Sequence, residues 1–207
     1  MNMYTPLRPL LYAAFVAAAP IAAAAGEYTL TPADGAIGFE LGSTLHMVHG
    51  NAKQFTVTVN IPDAGMPGEA AALVTIPAKG LDTDNGRRDE KMRNECLEAE
   101  KYPNITFETT GMENLPPLPF NGESFSALVK GKLTIHGVTR ETAIPVTVKR
   151  TDKGALIAGS VPVAFIKDYN IVDPSIFVFR VEKEAKVIFS LALPAPLFKA
   201  AHAAAKQ

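Results

Sequence analysis

The stretch Phe125-Ser126-Ala127-Leu128-Val129-Lys130-Gly131-Lys132-Leu133-Thr134-Ile135, followed by His136-Gly137, decides the fold. Phe125, Ala127, Val129, Leu133 and Ile135 share one parity, while Ser126, Lys130, Lys132 and Thr134 share the other. Successive side chains of a strand point to opposite faces, so this alternation describes a strand with one buried and one solvated side. His136-Gly137 reads as a tight turn, with Gly137 able to take the positive φ that a two-residue hairpin requires. The chain then returns through Ile144, Val146 and Val148, set against Thr147 and Lys149. Pro145 lies within that return strand and cannot donate to a ladder, which predicts a sheet edge or a bulge there.

The same period extends in both directions. Ile37, Phe39 and Leu41 share one parity, as do Phe55, Val57, Val59 and Ile61; Val74 and Ile76, then Ile105 and Phe107, continue the pattern. Further strands are predicted at 155–165, 176–181 and 186–193, the runs being bounded by Gly, Pro or Asp. One segment breaks the rhythm. Asp84 to Glu100 is densely charged, and its Met92 and Cys96 stand four residues apart, which predicts a short helix. Asp82, Thr83 or Asp84 would cap it, Asp89 and Arg93 would form an i,i+4 pair, and Pro103 would stop it. The Pro-rich stretch 111–122 reads as a loop, and the tail after Pro194 is Ala-rich. Eight or so consecutive antiparallel strands need partners for their edge backbone groups, and closure into a barrel supplies them; a two-sheet sandwich is the alternative. A barrel of roughly eight strands is either filled by its own side chains or holds one small ligand.

The remaining sequence narrows the function. Residues 1–25 carry one basic residue, Arg8, then an Ala-rich apolar run ending in Ala23-Ala24-Ala25, the pattern of a cleaved secretory leader. The expected mature domain is 26–207, exported to the periplasm, with no transmembrane anchor. Twenty basic and 21 acidic residues give a formal net charge of −1 and no basic stripe, so nucleic acid is not an expected partner. Cys96 is the only cysteine, which excludes an internal disulfide and suits buried filler; a homodimer stays open.

Searches for G-x-S-x-G, H-E-x-x-H, C-x-x-C and phosphate-cradling glycine loops find nothing, so no catalytic residue, cofactor or metal is expected. His46 and His49 would point to opposite faces of a strand. His136 has no carboxylate close in sequence to orient it. Arg87 and Arg88 have two readings: a guanidinium site for an anionic head group, or a solvated helix face held by internal ion pairs.

Several motifs together resemble the YceI-like family of bacterial periplasmic lipid-binding proteins. They are Tyr28-Thr29-Leu30-Thr31-Pro32 with Ile37-Gly38-Phe39, Gly80-Leu81-Asp82-Thr83 leading to Arg87-Arg88-Asp89 and Met92-Arg93, and Glu100-Lys101-Tyr102-Pro103 with Ile105-Thr106-Phe107. Gly131-Lys132-Leu133-Thr134-Ile135-His136-Gly137-Val138-Thr139 follows, then Lys167-Asp168-Tyr169 and Asp173-Pro174-Ser175. The resemblance implies an all-β fold, an extended lipocalin-like antiparallel β-barrel with one short helix between strands. It also implies a tunnel-like apolar interior holding a long isoprenoid or similar amphiphile.

On this basis Phe39, Phe55, Phe107, Phe125, Val129, Leu133, Ile144, Phe165 and Phe189 are expected to line the cavity, with Arg87 and Arg88 at the head group. The expected partner is an amphiphilic lipid, bound for storage or transport without covalent chemistry. Two rivals stand beside this expectation. One is a metal- or histidine-dependent periplasmic enzyme using His46 or His136. The other is an outer-membrane barrel, whose apolar parity would face lipid.

Overall fold

The computed structural model describes residues 26–61, 70–116, 123–176 and 178–194. Its strands are β1 (Gly26–Leu30), β2 (Gly35–Leu41), β3 (Val48–Ala52), β4 (Thr56–Ile61), β5 (Ala71–Pro77), β6 (Leu81–Asp82), β7 (Asn104–Glu113), β8 (Ser124–Ile135), β9 (Val138–Thr151), β10 (Gly154–Val163) and β11 (Ala185–Pro194). All pair antiparallel in one sheet, in the order β1-β4-β5-β7-β8-β9-β10-β11-β2-β3-β6.

The register explains how this sheet curls. Leu41 faces Val48 and Gly38 faces Asn51 across β2 and β3, and Leu30 faces Val57 and Gly26 faces Ile61 across β1 and β4. This is one hairpin, continued past a kink with the register offset by two residues. Likewise β4 pairs with β5 from Asn60–Ala71 to Thr56–Thr75, and β3 pairs with β6 at Ala52–Leu81. The runs β1+β2, β3+β4 and β5+β6 are therefore three long, kinked strands. With β7 to β11 they make eight strand paths, and the pairing of β11 with β2 brings the last beside the first. The sheet is a curled antiparallel barrel rather than a sandwich.

The kinks have local causes. Thr31 to Asp34 form a turn in which the Asp34 carboxylate accepts from the Thr31 N–H (2.8 Å) and hydroxyl (3.2 Å). Ala78–Gly80 form one 3₁₀ turn, and the Lys53 N–H donates to the Gly80 carbonyl, tying two kinks together.

Phe125, Ala127, Val129, Gly131, Leu133 and Ile135 face inward on β8, as the alternation requires, while Lys130 and Lys132 lie outside. His136 (φ 51°) and Gly137 (φ 71°) both adopt positive φ, the two-residue hairpin conformation whose twist matches the flanking strands. Gly is needed at 137 for a second reason, since a Cβ there would lie 2.5 Å from the Tyr102 ring. Pro145 is neither at an edge nor in a bulge. It sits in a central strand opposite Leu128, one residue beyond Val146–Gly159, where the β9–β10 ladder ends and no donor is needed. The β-bulge lies instead on β7, between Thr109 and Gly111, in a stretch expected to be partly loop.

Three other expectations are corrected. The helix is shorter than predicted: α1 spans Gly86–Lys91, followed by a π-helical turn Met92–Cys96, and Asn85 is the cap, its side chain accepting from the Arg88 N–H. The Asp89–Arg93 pair does not form, because both groups bond more specific partners described below. The strand predicted at 155–165 ends at Val163, and Phe165 opens a second short helix, α2 (Phe165–Tyr169). In place of a strand over 176–181 there is a tight turn closed by Ile176 and Phe179, followed by a single bridge from Val181 to Ser43. The outer face of the β8–β9 hairpin carries Lys130, Lys132, Glu141 and Lys149, all exposed. A lipid-facing wall requires the reverse polarity, which contradicts an outer-membrane barrel. Residues 1–25, most of the Pro-rich loop and the tail after Pro194 lie outside the described residues.

Candidate binding lumen

One end of the barrel is sealed by the helical insert, α2 and the β8–β9 turn. The seal is built from the motifs that stood out in the sequence. Asp89, 4% exposed, accepts on one carboxylate oxygen from the Thr83 N–H (2.9 Å) and the Thr83 hydroxyl (2.5 Å). Arg88 donates through Nε to the Thr83 hydroxyl (2.7 Å) and through Nη2 to its carbonyl (2.8 Å). Arg93 donates through Nε and Nη2 to the Leu81 carbonyl, covering the backbone of β6. The Asp84 N–H donates to the Asp82 carboxylate and holds that carboxyl below its ordinary range. Arg88 thus serves the insert's own architecture, while Arg87 is exposed.

His136 completes the seal. Its Nε2 lies 2.5 Å from the Glu98 carboxylate, and its Nδ1 donates to the Tyr169 carbonyl at 3.2 Å. Its side chain is only 10% exposed, and the Tyr102 ring packs edge-on with centroids 4.5 Å apart. The carboxylate absent from its sequence neighbourhood comes from 38 residues away, and both ring nitrogens are occupied in joining the hairpin, the insert and α2. Tyr169 is buried, which pushes its phenol pKa up. Cys96 is buried in the same core cluster, and burial raises its thiol pKa. His46 is exposed, and His49 faces Glu40 at 3.7 Å with its side chain 66% exposed. Among the described residues no group of His, Cys, Asp and Glu could hold a metal ion.

The nine expected lining residues divide into two sets. Phe55 and Phe165 are buried, Phe55 at the kink between β3 and β4 and Phe165 on α2, so both belong to packed structure. Val129 and Ile144 face inward opposite each other and are also nearly covered. Phe39, Phe107, Phe125, Leu133 and Phe189 face inward yet are only half-buried. Among the described residues no large side chain is fully buried.

Three of these phenylalanines lie against glycines of the adjacent strand. A Cβ built on Gly50 would lie 2.2 Å from the Phe39 ring; the corresponding distances are 2.4 Å from Gly131 to Phe107 and 2.8 Å from Gly159 to Phe189. The rings are laid flat on the wall, in volume that a glycine leaves free, instead of projecting toward the axis. Polar groups of inward parity are few. Tyr28 pairs with Val59, Thr142 with Gly131, and the Thr109 hydroxyl accepts from the Ala72 N–H at 2.7 Å. None was singled out in the sequence; the signal that could have found Tyr28 is the parity it shares with Leu30, which lies opposite Val57 in the register. A separate hollow of about 510 Å³ opens on the outer surface over β8 to β11, floored by small side chains such as Ser126, Ala158, Ser160 and Ser190. It is not the interior the sequence pointed to.

Comparison with known proteins accords with this architecture. The model of the YceI-like domain matches residues 28–193. A UPF0312 protein of Pseudomonas aeruginosa is 35% identical over 88 residues, which cover 42% of this chain and 40% of that protein. A UPF0312 protein of Shewanella baltica is 28% identical over 145 residues, 67% of this chain and 72% of its own length. The match thus spans less than half the length of the Pseudomonas relative. Among solved structures, Burkholderia cenocepacia BcnA superposes with a TM-score of 0.62 at 23% identity, covering 76% of this chain and 94% of that one. A polyisoprenoid-binding domain from Saccharophagus degradans superposes with a TM-score of 0.59 at 16% identity, covering 81% and 97%. At these identities the likeness establishes the fold.

Proposed function

The chain belongs to the YceI-like domain family, and on that premise we propose that it binds a long amphiphile of polyisoprenoid type in the barrel interior, as a carrier or store in the periplasm and without covalent chemistry. The observation that carries this reading is the incomplete burial of Phe39, Phe107, Phe125, Leu133 and Phe189, although all five face inward from a closed ring of strands. In a filled barrel such side chains interdigitate at the density of an organic crystal and are covered on all sides. Here their free surfaces bound a space that an apolar chain would fill, gaining roughly 25 cal/mol per Å² of apolar area removed from water. The family relationship and the name of the Saccharophagus neighbour supply the chemical class.

Orientation would come from few polar contacts. Tyr28 and Thr142 are inward candidates for them. Of the two arginines proposed for the head group, Arg87 is the one left exposed and, among the described residues, without a bond in the insert, because Arg88 is already occupied by Thr83. Export follows from the leader pattern of residues 1–25, and places Gly26 or a neighbour at the mature N-terminus.

The test is native mass spectrometry of protein purified from the cell envelope, followed by solvent extraction and identification of the released lipid. A stoichiometric long-chain species, restored on incubating stripped protein with a polyprenyl amphiphile, is the expected result. Protein that carries nothing and takes up nothing would exclude the lumen as a lipid site.

A further inference from the structure

Towards the sealed end the ring of strands parts at two places. β6 pairs with β3 and, among the described residues, with no strand on its other side. β9 and β10 are joined only from Thr151–Gly154 to Val146–Gly159. Beyond that point β9 stays with β8 as far as Val138 and β10 stays with β11 as far as Val163, but among the described residues no ladder joins the two. Pro145, which has no N–H to give, stands at the fork.

The helical insert covers the first parting and α2 the second, and the two are fastened differently. Arg93 grips the Leu81 carbonyl with two nitrogens, and the insert behind it is anchored by the buried Asp89 on Thr83. α2 continues directly from β10, turned in at Ala164, and packs against β9. Its Phe165 and Tyr169 are buried in one cluster with Ile144, Val161 and Val163, the inward-facing side chains on the two margins of the parting. Two side-chain bonds from the β8–β9 hairpin hold it there, both to carbonyls at the C-terminal end of the helix, where the helix itself supplies no partner. Arg140 donates through Nε to the Asp168 carbonyl at 3.0 Å, in an exposed position, and His136 donates through Nδ1 to the Tyr169 carbonyl at 3.2 Å.

Strands joined by a continuous ladder separate only by breaking many backbone bonds together, whereas a segment held by a few side-chain contacts opens locally. α2 needs to give up two side-chain bonds and the cover of two rings. We propose that the parting of β9 and β10 is a side portal into the lumen and that α2 is its plug, so that a long amphiphile enters and leaves through the wall while the insert stays shut. This rests on the reading of the lumen as a lipid site. A plug that stands closed most of the time sets the rates of entry and exit alike and leaves the equilibrium affinity untouched, the signature of a gate rather than of a contact to the ligand.

The experiment measures stopped-flow uptake of a fluorescent polyprenyl amphiphile by the stripped mature protein, and its release on chasing with unlabelled amphiphile. Arg140→Gln should raise both rates roughly tenfold, the scale of one charge-assisted hydrogen bond in the opening equilibrium, with Kd and the unfolding midpoint as in wild type. Arg93→Gln, which loosens the insert instead, should leave both rates unchanged. A second measurement needs no ligand. In a Cys96→Ala background, which removes the only cysteine, a water-soluble maleimide should label Val161→Cys faster once Arg140→Gln is added. Val148→Cys, opposite Ile157 where the β9–β10 ladder is intact, should label at the same rate with and without it. Exchange that Arg140→Gln does not accelerate, or that Arg93→Gln accelerates equally, would overturn the portal and place entry elsewhere. If the wild type takes up no amphiphile, the lumen reading fails on its own account, and labelling of Val161→Cys unmoved by Arg140→Gln would then overturn the portal as well.

Discussion

The contact between Gly50 and Phe39 offers the sharpest test of a hollow barrel, because one methyl group discriminates between the two states of the interior. A Cβ on Gly50 would lie 2.2, 2.3 and 2.9 Å from three atoms of the Phe39 ring, and no backbone atom stands as close. Ordinary contact begins near 3.4 Å, so in Gly50→Ala the ring must retreat by more than an ångström. The wall blocks one direction; the interior is the other. If that interior were filled, forcing a phenyl ring into it would cost about 1–3 kcal/mol of stability. If it is open, the ring swings freely, and replacing a strand glycine by alanine stabilises by roughly 0.5–1 kcal/mol through the unfolded chain. The displaced ring would then exclude two or three methylenes of a bound chain, at about 0.8 kcal/mol each. That is ~2 kcal/mol, or roughly thirtyfold in Kd. Thermal unfolding of stripped protein and titration with a fluorescent polyprenyl amphiphile measure the two quantities. Stability held or raised with weakened binding is expected, and Phe39→Leu added to Gly50→Ala should restore affinity. Stability lost by 1 kcal/mol or more, with ligand uptake the same as wild type, would refute the hollow interior.

Other perturbations address the sealed end. Gly137→Val combines a φ of 71° with a clash against Tyr102, and should lower stability by about 1–3 kcal/mol in chemical denaturation. Asp89→Ala removes the buried acceptor of Thr83 and should cost about 1–3 kcal/mol, with hydrogen exchange accelerating first in residues 83–96. Cys96 holds its proton more tightly folded than unfolded because burial raises its pKa. Its contribution to stability is therefore present below the ordinary thiol range and lost as pH rises through and beyond it. Iodoacetamide should label native protein far more slowly than denatured protein, and equal rates would show an accessible thiol.

Most of the wall was legible because a one-residue shift would turn every side chain to the wrong face, so period-two parity fixes orientation without knowledge of partners. Phe125 to Ile135 and the His136-Gly137 turn are the clearest instances. Pairing order was less legible. Kinks at Thr31–Asp34 and Ala78–Gly80 interrupt the alternation, and nothing local says that β1 and β2 are one path. Pro145 misled for a related reason: a missing donor signals the end of a ladder, and a ladder can end inside a sheet when the neighbouring strand diverges.

The site was legible only as far as one-dimensional spacing reaches. Arg87-Arg88-Asp89 drew attention as charges, yet the structure spreads them over different tasks, with Arg88 and Asp89 both committed to Thr83 only five and six residues away. His136 looked alone because its carboxylate, Glu98, comes from the helical insert. Phe55 and Phe165 looked equivalent to Phe39 and Phe189 because parity and size describe a side chain, and not what stands opposite it. The glycines distinguish them. Gly50 and Gly159 lie directly across from Phe39 and Phe189 in the register, whereas Phe55 and Phe165 lie outside the ladder altogether, at a kink and on a helix. A strand glycine facing a barrel interior weakens the strand and buries nothing of its own, so its presence opposite an aromatic ring follows if the barrel needs free volume along its axis more than it needs another methyl group in its wall.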